Sequence, residues 1–360
     1  MSGRGGKSWD VLVAGGGPVG VYVAIEAARS GLSTAVLEAR PGILDKACGE
    51  GLMPAAVTAL QRAGVRIERK HCFTGIRYVE GDLCAEGRFV DGPGWGVRRT
   101  ELHRALRERA EEVGVTMLVH RVSDVRSDSD GVVVDGYRAR YLIGADGLRS
   151  PLRRSLGLEL EPRLAPRYAL RRHFRVQPWG PFVEVHWHAL GEAYVTPVAQ
   201  DEVGVALLFD DRSRAPGDVD FATLLSRFPA LAGRLAGAEP ASAVRGAGPF
   251  EQRSRRVVNG RVLLVGDAAG YLDPITGEGL RLGFMSSIAA VEAIKTGRVD
   301  DYDAQWRRLT RRYRWMTAGL LALRRSPLRP LMLPTLRRIP QLFDRVLGEL
   351  GEQPAGLART

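Results

Sequence analysis

Three glycines near the start of the chain have a spacing that suits phosphate binding: Gly15, Gly17 and Gly20. They follow a short apolar run at 9–14, which predicts a buried parallel strand, and they open a helical stretch. In that place the first glycine permits a tight turn, the second lets the backbone approach a pyrophosphate, and the third lets helix and strand pack closely. Glu38 ends the next predicted strand, where a carboxylate can bind ribose hydroxyls. The pattern predicts a dinucleotide site, and the acid at its end disfavours a 2′-phosphate.

Three further motifs follow in order along the chain. They are Arg99-x-x-Leu102-x-x-x-Leu106, Gly144-Ala145-Asp146-Gly147-x-x-Ser150-x-x-Arg153, and Gly266-Asp267-Ala268-Ala269 with Pro274, Gly277 and Gly279. Together with the glycine motif they resemble the FAD-dependent hydroxylase superfamily, the para-hydroxybenzoate-hydroxylase-like flavoproteins. The resemblance covers most of residues 9–295.

The resemblance implies a part in FAD binding for each motif. Glu38 binds the adenosine ribose, Arg99 faces the pyrophosphate and Asp267 holds the ribityl chain. Asp146 supports the cofactor, with a purely structural turn aspartate as the alternative. The helix start near 277–280 can stabilise negative charge on the pyrimidine edge of a reduced flavin. The predicted cofactor-binding residues are Gly15, Gly17, Pro18, Gly20, Glu38, Arg40, Cys48, Gly49, Arg99, Asp146, Gly266, Asp267, Pro274, Gly277, Gly279 and Leu280.

A second, narrower resemblance lies at 45–52, where the sequence DKACGEGL looks like the CGEGL stretch of geranylgeranyl reductases. In that branch of the superfamily the loop lies beside the isoalloxazine and its cysteine borders the substrate tunnel. Cys48 is therefore the candidate catalytic residue. The alternative is a small buried filler, which is how free cysteine usually behaves.

Other chemistries have weaker support in the sequence. No CxxxxC pair and no second GxGxxG that opens a helix is found, which disfavours a flavin disulfide reductase and a built-in nicotinamide domain. The WxWxIP motif of flavin-dependent halogenases is absent as well. Strand alternation over 183–188 places Glu184, His186 and His188 on one face, and the two histidines are candidate substrate contacts rather than metal ligands. His103, on the predicted Arg99 helix, is expected at the surface.

These motifs require an α/β fold with a doubly wound, Rossmann-like FAD-binding domain. Segments 1–75, 97–158 and 254–300 are predicted to form it. Alternating strands at 76–96 and 159–253 predict an inserted antiparallel-sheet substrate domain, with a helical stretch at 219–236. The remainder, 301–360, is predicted to be a helical C-terminal extension. Its apolar stripe, spaced three and four residues apart, comprises Trp306, Leu309, Tyr313, Met316, Leu320 and Leu323.

The chain carries a formal charge of +11, almost all from arginine, since only four of its 52 basic residues are lysines. Codon bias in a GC-rich genome explains the choice of arginine. The positive charge concentrates after residue 300, and segment 301–345 is a candidate for peripheral contact with anionic membrane. Nucleic acid has no motif in its favour. Three cysteines without a pairing pattern, and no apolar signal core, predict a cytoplasmic protein, with contact at the inner membrane face as the variant.

The sequence therefore predicts an FAD-dependent oxidoreductase with an apolar small-molecule substrate. An NAD(P)H-dependent monooxygenase of secondary metabolism is favoured, because most of the chain resembles hydroxylases. A geranylgeranyl-reductase-like enzyme for isoprenoid double bonds is the alternative, and a non-catalytic basic membrane-binding protein is the third. NAD(P)H or a separate flavin reductase is expected to supply electrons.

Overall fold

The computed structural model describes residues 8–210 and 219–351. Parts of the predicted domains, namely 1–7, 211–218 and 352–360, lie outside the described residues. The strands in the described ranges are β1 Ser8–Ala14, β2 Thr34–Glu38, β3 Gly51–Leu52, β4 His71–Phe73, β5 Gly75–Glu80, β6 Leu83–Arg88, β7 Gly94–Gly96, β8 Thr116–Val119, β9 Val125–Ser127, β10 Val132–Val134, β11 Tyr137–Gly144, β12 Glu159–Leu160, β13 Arg167–Arg175, β14 Phe182–His188, β15 Gly191–Ala199, β16 Glu202–Asp210, β17 Glu239–Pro240, β18 Arg245–Ala247, β19 Arg253–Ser254, β20 Val258–Asn259 and β21 Val262–Leu264. The α-helices are α1 Pro18–Arg29, α2 Pro54–Arg62, α3 Arg99–Glu112, α4 Pro151–Ser155, α5 Phe221–Leu225, α6 Pro229–Arg234, α7 Gly279–Lys295, α8 Tyr302–Arg325, α9 Met332–Arg338 and α10 Pro340–Gly351.

The first sheet has the order β20-β21-β11-β1-β2-β8, with β9 and β10 attached beside β11. Strands β21, β11, β1, β2 and β8 run parallel. They are short apolar runs, as expected for strands that are covered on both faces. The chain passes from β1 through α1 to β2 on one side, and β11 lies on the other. The strand order therefore reverses at β1, which is the switch point of a doubly wound sheet.

The second sheet has the order β17-β13-β16-β15-β14-β5-β6, with β18 beside β13. Its pairs are antiparallel except for β14 and β5, which run parallel. One face packs against α5 and α6 through a phenylalanine- and leucine-rich cluster. The predicted helical stretch at 219–236 is thus two short helices, and the second begins at Pro229.

A third, small sheet has the order β3-β7-β4. Strand β7 belongs to segment 76–96, which was expected to join the substrate sheet, yet it pairs with β4 and with β3, the two-residue strand that ends the CGEGL stretch. The α/β class with a doubly wound sheet, a second sheet and C-terminal helices is confirmed. The residue boundaries of the domains stay a prediction.

The C-terminal helices cover both large sheets. Helix α8 packs on α7, while α9 and α10 pack on β6. Trp306 and Tyr313 of the predicted stripe are buried, whereas Met316, Leu320 and Leu323 face a cavity between the C-terminal helices and the second sheet. Within 8–210 and 219–351, none of the helices combines the length and the apolar character that crossing a bilayer requires.

Candidate active site

The carboxyl ends of β1, β11 and β21 meet at one edge of the first sheet. Ala14, Gly144 and Leu264 occupy matching register positions there. The loops that follow these strands carry three of the predicted motifs, so the parallel arrangement brings the motifs together. They open onto a cavity of about 970 Å³. Open α/β sheets bind their ligands at this kind of edge.

The glycine motif is fixed by close backbone approach. Gly15 has a φ of +103°, and a Cβ there would lie 2.6 Å from the carbonyl oxygen of Ala145. A Cβ on Gly20 would lie 1.8 Å from the Gly15 oxygen. Gly17 is open instead, with the guanidinium of Arg99 as its nearest neighbour at 3.7 Å. No side chain caps the first N–H groups of α1, which leaves them free for phosphate oxygens.

Two cations and a carboxylate line the cavity beside this loop: Arg99, Lys46 and Asp267. Burial lowers the pKa of Lys46, and the nearby charges of Arg40 and Arg99 lower it further. Burial raises the pKa of Asp267, and the charges of Arg99 and Lys46 oppose that rise. The Nε of Arg99 is buried without a hydrogen-bond partner among the described residues. An anion with adjacent hydroxyl groups suits this set, since the cations would be neutralised and Asp267 could accept hydrogen bonds.

Glu38 lies at the end of β2 and contacts the loop of the glycine motif, residues 15–17, directly. Its Oε2 accepts a hydrogen bond of 2.8 Å from the Gly16 amide, and its Oε1 accepts one of 3.1 Å from the Arg40 amide. His103 supports the same loop from α3, because its Nε2 donates to the Gly16 oxygen at 2.7 Å while its Nδ1 accepts from the Leu44 amide at 3.0 Å. The backbone thus fixes the neutral tautomer of His103.

Asp146 follows β11, and its two carboxylate oxygens have different surroundings. One accepts a hydrogen bond of 3.1 Å from the Leu152 amide, while Oδ1 is buried without a partner among the described residues. Burial raises the pKa of Asp146. Arg153 of the same motif is wholly buried and donates to the carbonyl oxygens of Leu148 and Ala268, at 2.9 and 3.1 Å. It therefore ties the loop after β11 to the loop after β21.

Glu50, at the centre of the CGEGL stretch, joins helix α3 to the second sheet. Its φ is +60°, and its side chain is 3% exposed. Oε1 accepts the Arg99 amide at 2.8 Å, and Oε2 faces His173 Nε2 of β13 at 2.5 Å. Because Nδ1 of His173 faces a donor NH of Arg171 at 3.0 Å, the ring proton lies on Nε2 and points at Glu50. Glu50 also donates its amide to Cys48 Sγ at 3.4 Å, so the Cys48 loop and α3 are positioned together.

A buried ionic cluster holds the loop before α7. Arg167 of β13 pairs with Glu192, Asp210 and Asp273, the last at 2.7 Å. Arg324 of α8 pairs with Glu192 and Asp210. Burial raises the pKa of Asp273 to about 6, and the nearby Glu192 carboxylate adds to the rise despite the Arg167 charge. The cluster joins the second sheet and the C-terminal helices to the Pro274 loop.

The rest of the cavity is apolar and extends across the second sheet. Register places Tyr78, Val185, Tyr194 and Ala206 in one row over four adjacent strands, and all four line the cavity. The Tyr194 hydroxyl donates to the Ile275 oxygen at 2.9 Å. The far end is walled by α8, α9 and α10 through Met316, Leu320, Leu323, Met332, Leu336, Phe343, Val346 and Leu347. A long apolar chain fits this part of the cavity. The polar residues described above lie at the opposite end.

All but three of the predicted cofactor-binding residues line this cavity. Gly20 and Gly266 serve as packing glycines, since a Cβ on Gly266 would lie 3.0 Å from Val19. Arg40 has a half-exposed guanidinium 3.6 Å from Glu38 Oε1 and does not reach the cavity. The cavity wall also includes Cys48, Gly49, Pro274, Gly277 and Leu280.

Three histidine predictions are wrong. His186 and His188 lie on the face of β14 opposite to the cavity, which Val183 and Val185 line instead. The polar face is occupied by other contacts: His186 Nε2 donates to Glu184 at 3.0 Å, and His188 packs edge-on against Phe228. His103, expected at the surface, is 1% exposed. In each case the sequence reveals the periodicity of the strand or helix but not which of its faces packs against the rest of the protein.

The sequence reasoning missed Glu50, His173 and Tyr194 as site residues. Glu50 lies inside the CGEGL stretch, and an acid between two glycines was the signal that could have found it. His173 and Tyr194 lie on strands with no motif around them. Only the strand order brings Tyr194 to the cavity and His173 to Glu50.

Known proteins share this arrangement. The family model for an FAD binding domain matches residues 8–295. The chain belongs to this FAD-binding family. Menaquinone reductase of Mycolicibacterium smegmatis is 30% identical over 82% of this chain and 79% of its own length. Digeranylgeranylglycerophospholipid reductase 1 of Methanopyrus kandleri is 29% identical over 80% and 81%, and ubiquinone hydroxylase UbiL of Rhodospirillum rubrum is 29% identical over 82% and 74%.

Solved structures share the fold. A flavoprotein/dehydrogenase from Cytophaga hutchinsonii has a TM-score of 0.84 at 18% identity, covering 96% of this chain and 93% of that one. The flavin-dependent brominase Bmp2 has a TM-score of 0.77 at 21% identity, with 96% and 94% covered. At these identities the likeness shows the architecture alone.

The residues present fit FAD. The open backbone at Gly17 and the Nε of Arg99, unpartnered among the described residues, suit a pyrophosphate, and the carboxylate of Asp267 in the cavity wall suits ribityl hydroxyls. FAD supplies two-electron chemistry when bound. The protein is therefore an FAD-dependent oxidoreductase by family, and its site residues favour an enzyme over a non-catalytic basic protein.

Proposed function

We propose that this enzyme reduces a carbon–carbon double bond in the prenyl chain of a lipid, such as a prenylated quinone. The cavity carries the proposal, because its apolar part runs from the Cys48 loop over the second sheet to the C-terminal helices. Two of the relatives reported above are named as reductases, of menaquinone and of a geranylgeranyl lipid. These observations shift the preference from oxygen insertion, which the sequence favoured, to reduction.

The reaction adds an electron pair and two protons across one double bond, so the product gains two hydrogens. We assign proton delivery to the Cys48 thiol, which lines the cavity. Tyr194 is a less suitable donor, because its hydroxyl is held by the Ile275 oxygen and its pKa lies well above the usual range, chiefly through burial. The apolar row beside it orients the chain and excludes water. NAD(P)H is the electron source we propose.

Monooxygenation is the second candidate. Its support is the similarity to a ubiquinone hydroxylase and the resemblance of the main motifs to hydroxylases. It would use the same cavity, with the reacting carbon on a quinone ring instead of the prenyl chain.

Product mass separates the two. The FAD-loaded enzyme is incubated with NADPH and a menaquinone, and the products are reoxidised in air before mass spectrometry. Reoxidation removes hydrogens gained by the quinone ring, so a lasting gain of two hydrogens marks prenyl reduction. A gain of one oxygen would support the second candidate, and an unchanged mass would refute the proposal for this substrate class.

A cysteine pair tests the proton donor. Cys48→Ser is expected to slow prenyl reduction at least tenfold with FAD content unchanged, whereas Cys72→Ser, at an exposed position, leaves the rate unchanged. Equal rates in the two variants would remove Cys48 from the mechanism.

A further inference from the structure

Large apolar side chains are exposed at both ends of α9. Leu328 and Leu331 precede the helix and are each 59% exposed, while Ile339 and Leu342 follow it at 49% and 41%. Turn hydrogen bonds hold each pair together, from the Leu331 amide to the Leu328 oxygen and from the Leu342 amide to the Ile339 oxygen. At about 1.5 Å of rise per residue, the two pairs lie roughly 12 Å apart. We call residues 328–342 the α9 surface.

The inner side of the same segment belongs to the cavity. Met332 and Leu333 are buried, and Leu336 and Phe343 line the apolar end. Phe343 packs against Tyr78 of β5 with ring centroids 4.7 Å apart. One helical layer therefore separates the cavity from an exposed apolar surface.

The charge around this surface has one sign. Residues 304–343 contain ten arginines and no Asp or Glu. Arg324 and Arg329 are neutralised by carboxylates of the second sheet. Arg337, Arg338 and Arg345 are exposed, and the described part of the chain gives them no ion pair. Exposed leucines beside unpaired arginines are the composition of an interfacial helix.

We propose that the α9 surface docks on the surface of an anionic lipid bilayer. The two apolar pairs enter the interface while the arginines face lipid phosphates, and each arginine contributes about 1 kcal/mol near an anionic surface. A second copy of this chain is a poorer occupant, because a two-fold contact would bring the same arginines together. No helix of the described ranges is suited to crossing the bilayer, so the contact is peripheral.

A consequence rests on the proposed function. If the substrate is a prenyl lipid, docking places its source directly outside the layer that walls the apolar end of the cavity. The docking itself stands on exposure and charge alone.

Vesicle sedimentation of the FAD-loaded enzyme, without substrate, tests the docking. Vesicles of equal parts phosphatidylglycerol and phosphatidylcholine are expected to bind the enzyme, more weakly as salt is raised, and phosphatidylcholine alone to bind it poorly. Arg337→Gln with Arg338→Gln is expected to weaken binding roughly 25-fold, from roughly fivefold per arginine. The matched pair Arg121→Gln with Arg256→Gln, also exposed, removes the same charge elsewhere and is expected to have little effect.

Leucine variants test the apolar part. Leu331→Asp with Leu342→Asp is expected to abolish vesicle binding, and Leu190→Asp, at a 56% exposed position in the turn after β14, is expected to retain most of it. If a variant of the α9 surface and its matched control lost vesicle binding equally, the proposal would be overturned. So would leucine variants that change the sedimentation coefficient without vesicles and still bind lipid, since the surface would then join two copies. Intact docking with no prenyl reduction would refute the proposed function alone.

Discussion

The two ends of the cavity are built in different ways. The polar end comes from loops that follow β1, β11 and β21, and each loop is a short contiguous motif. The apolar end collects single side chains from four strands and three helices between Ile76 and Leu347. Phosphate recognition depends on backbone geometry, which glycines specify locally. A wall for an apolar chain depends on which faces meet in the fold, so its residues need no common motif.

The largest expected effect is at the polar end. Gly15→Ala is expected to abolish FAD binding, since its Cβ would meet the Ala145 oxygen at 2.6 Å and φ is +103°. Gly31→Ala is the control: its φ is +82°, with nothing within 4 Å of its Cβ. It is expected to lose about 1 kcal/mol of stability and keep FAD. The measurement is the FAD stoichiometry of the folded fraction in each variant, and circular dichroism checks that the fraction is folded. Full FAD in Gly15→Ala would contradict this account of the loop.

A second prediction concerns Asp273, at the joint between the two ends. Its folded pKa of about 6 lies above the ordinary aspartate value of 3.8, because burial penalises the charged form. That penalty is present above about pH 6 and disappears as the pH falls towards the unfolded value. Urea unfolding of wild type and Asp273→Asn should therefore diverge: between about pH 4 and about pH 7, the variant gains about 2 kcal/mol relative to wild type. A pH-independent difference would show that Asp273 keeps an ordinary pKa.

Glu50 tests whether the second sheet positions the cofactor site. In Glu50→Gln an amide donor can be turned towards the His173 Nε2–H, and one charge-assisted hydrogen bond is lost. FAD affinity is expected to fall by about 1.5 kcal/mol, more than tenfold. Flavin circular dichroism should change as well, because the Arg99 amide and the Cys48 loop share this carboxylate. Glu101→Gln, in the first turn of the same helix, removes the same charge and is expected to bind FAD normally. Equal affinities would make Glu50 a structural residue only.

The smallest effect is expected at the apolar end. Val346→Trp should fill the space beside Leu336 and Phe343 without touching the cofactor loops. The KM for a long prenyl chain should rise roughly fivefold relative to a short one, about 1 kcal/mol of selective loss. Competition between menaquinones with short and long chains measures this ratio. If both substrates are affected alike, the chain does not reach α10.

The sequence predicted the polar end far better than the apolar end. Gly15, Glu38 and Asp267 could be placed because strand, turn and helix follow one another within a few residues. His186 failed because alternation along β14 does not reveal which face is turned towards the cavity. Met316 and Leu320 were recognised as an apolar stripe, but their partner is the cavity, and that depends on how α8 lies across the second sheet. Glu50 is intermediate, since its motif was visible while its partner His173 is over a hundred residues away.

The central claim is that the cofactor and a prenyl chain share this one cavity, and an anaerobic single turnover tests it most directly. The FAD-loaded enzyme is reduced under argon, mixed with a menaquinone whose ring is already reduced, and followed by flavin absorbance. The account predicts that oxidised flavin returns without oxygen, with a product that has gained two hydrogens in its chain. Flavin that stays reduced until oxygen is admitted, and then yields an oxygenated product, would contradict it.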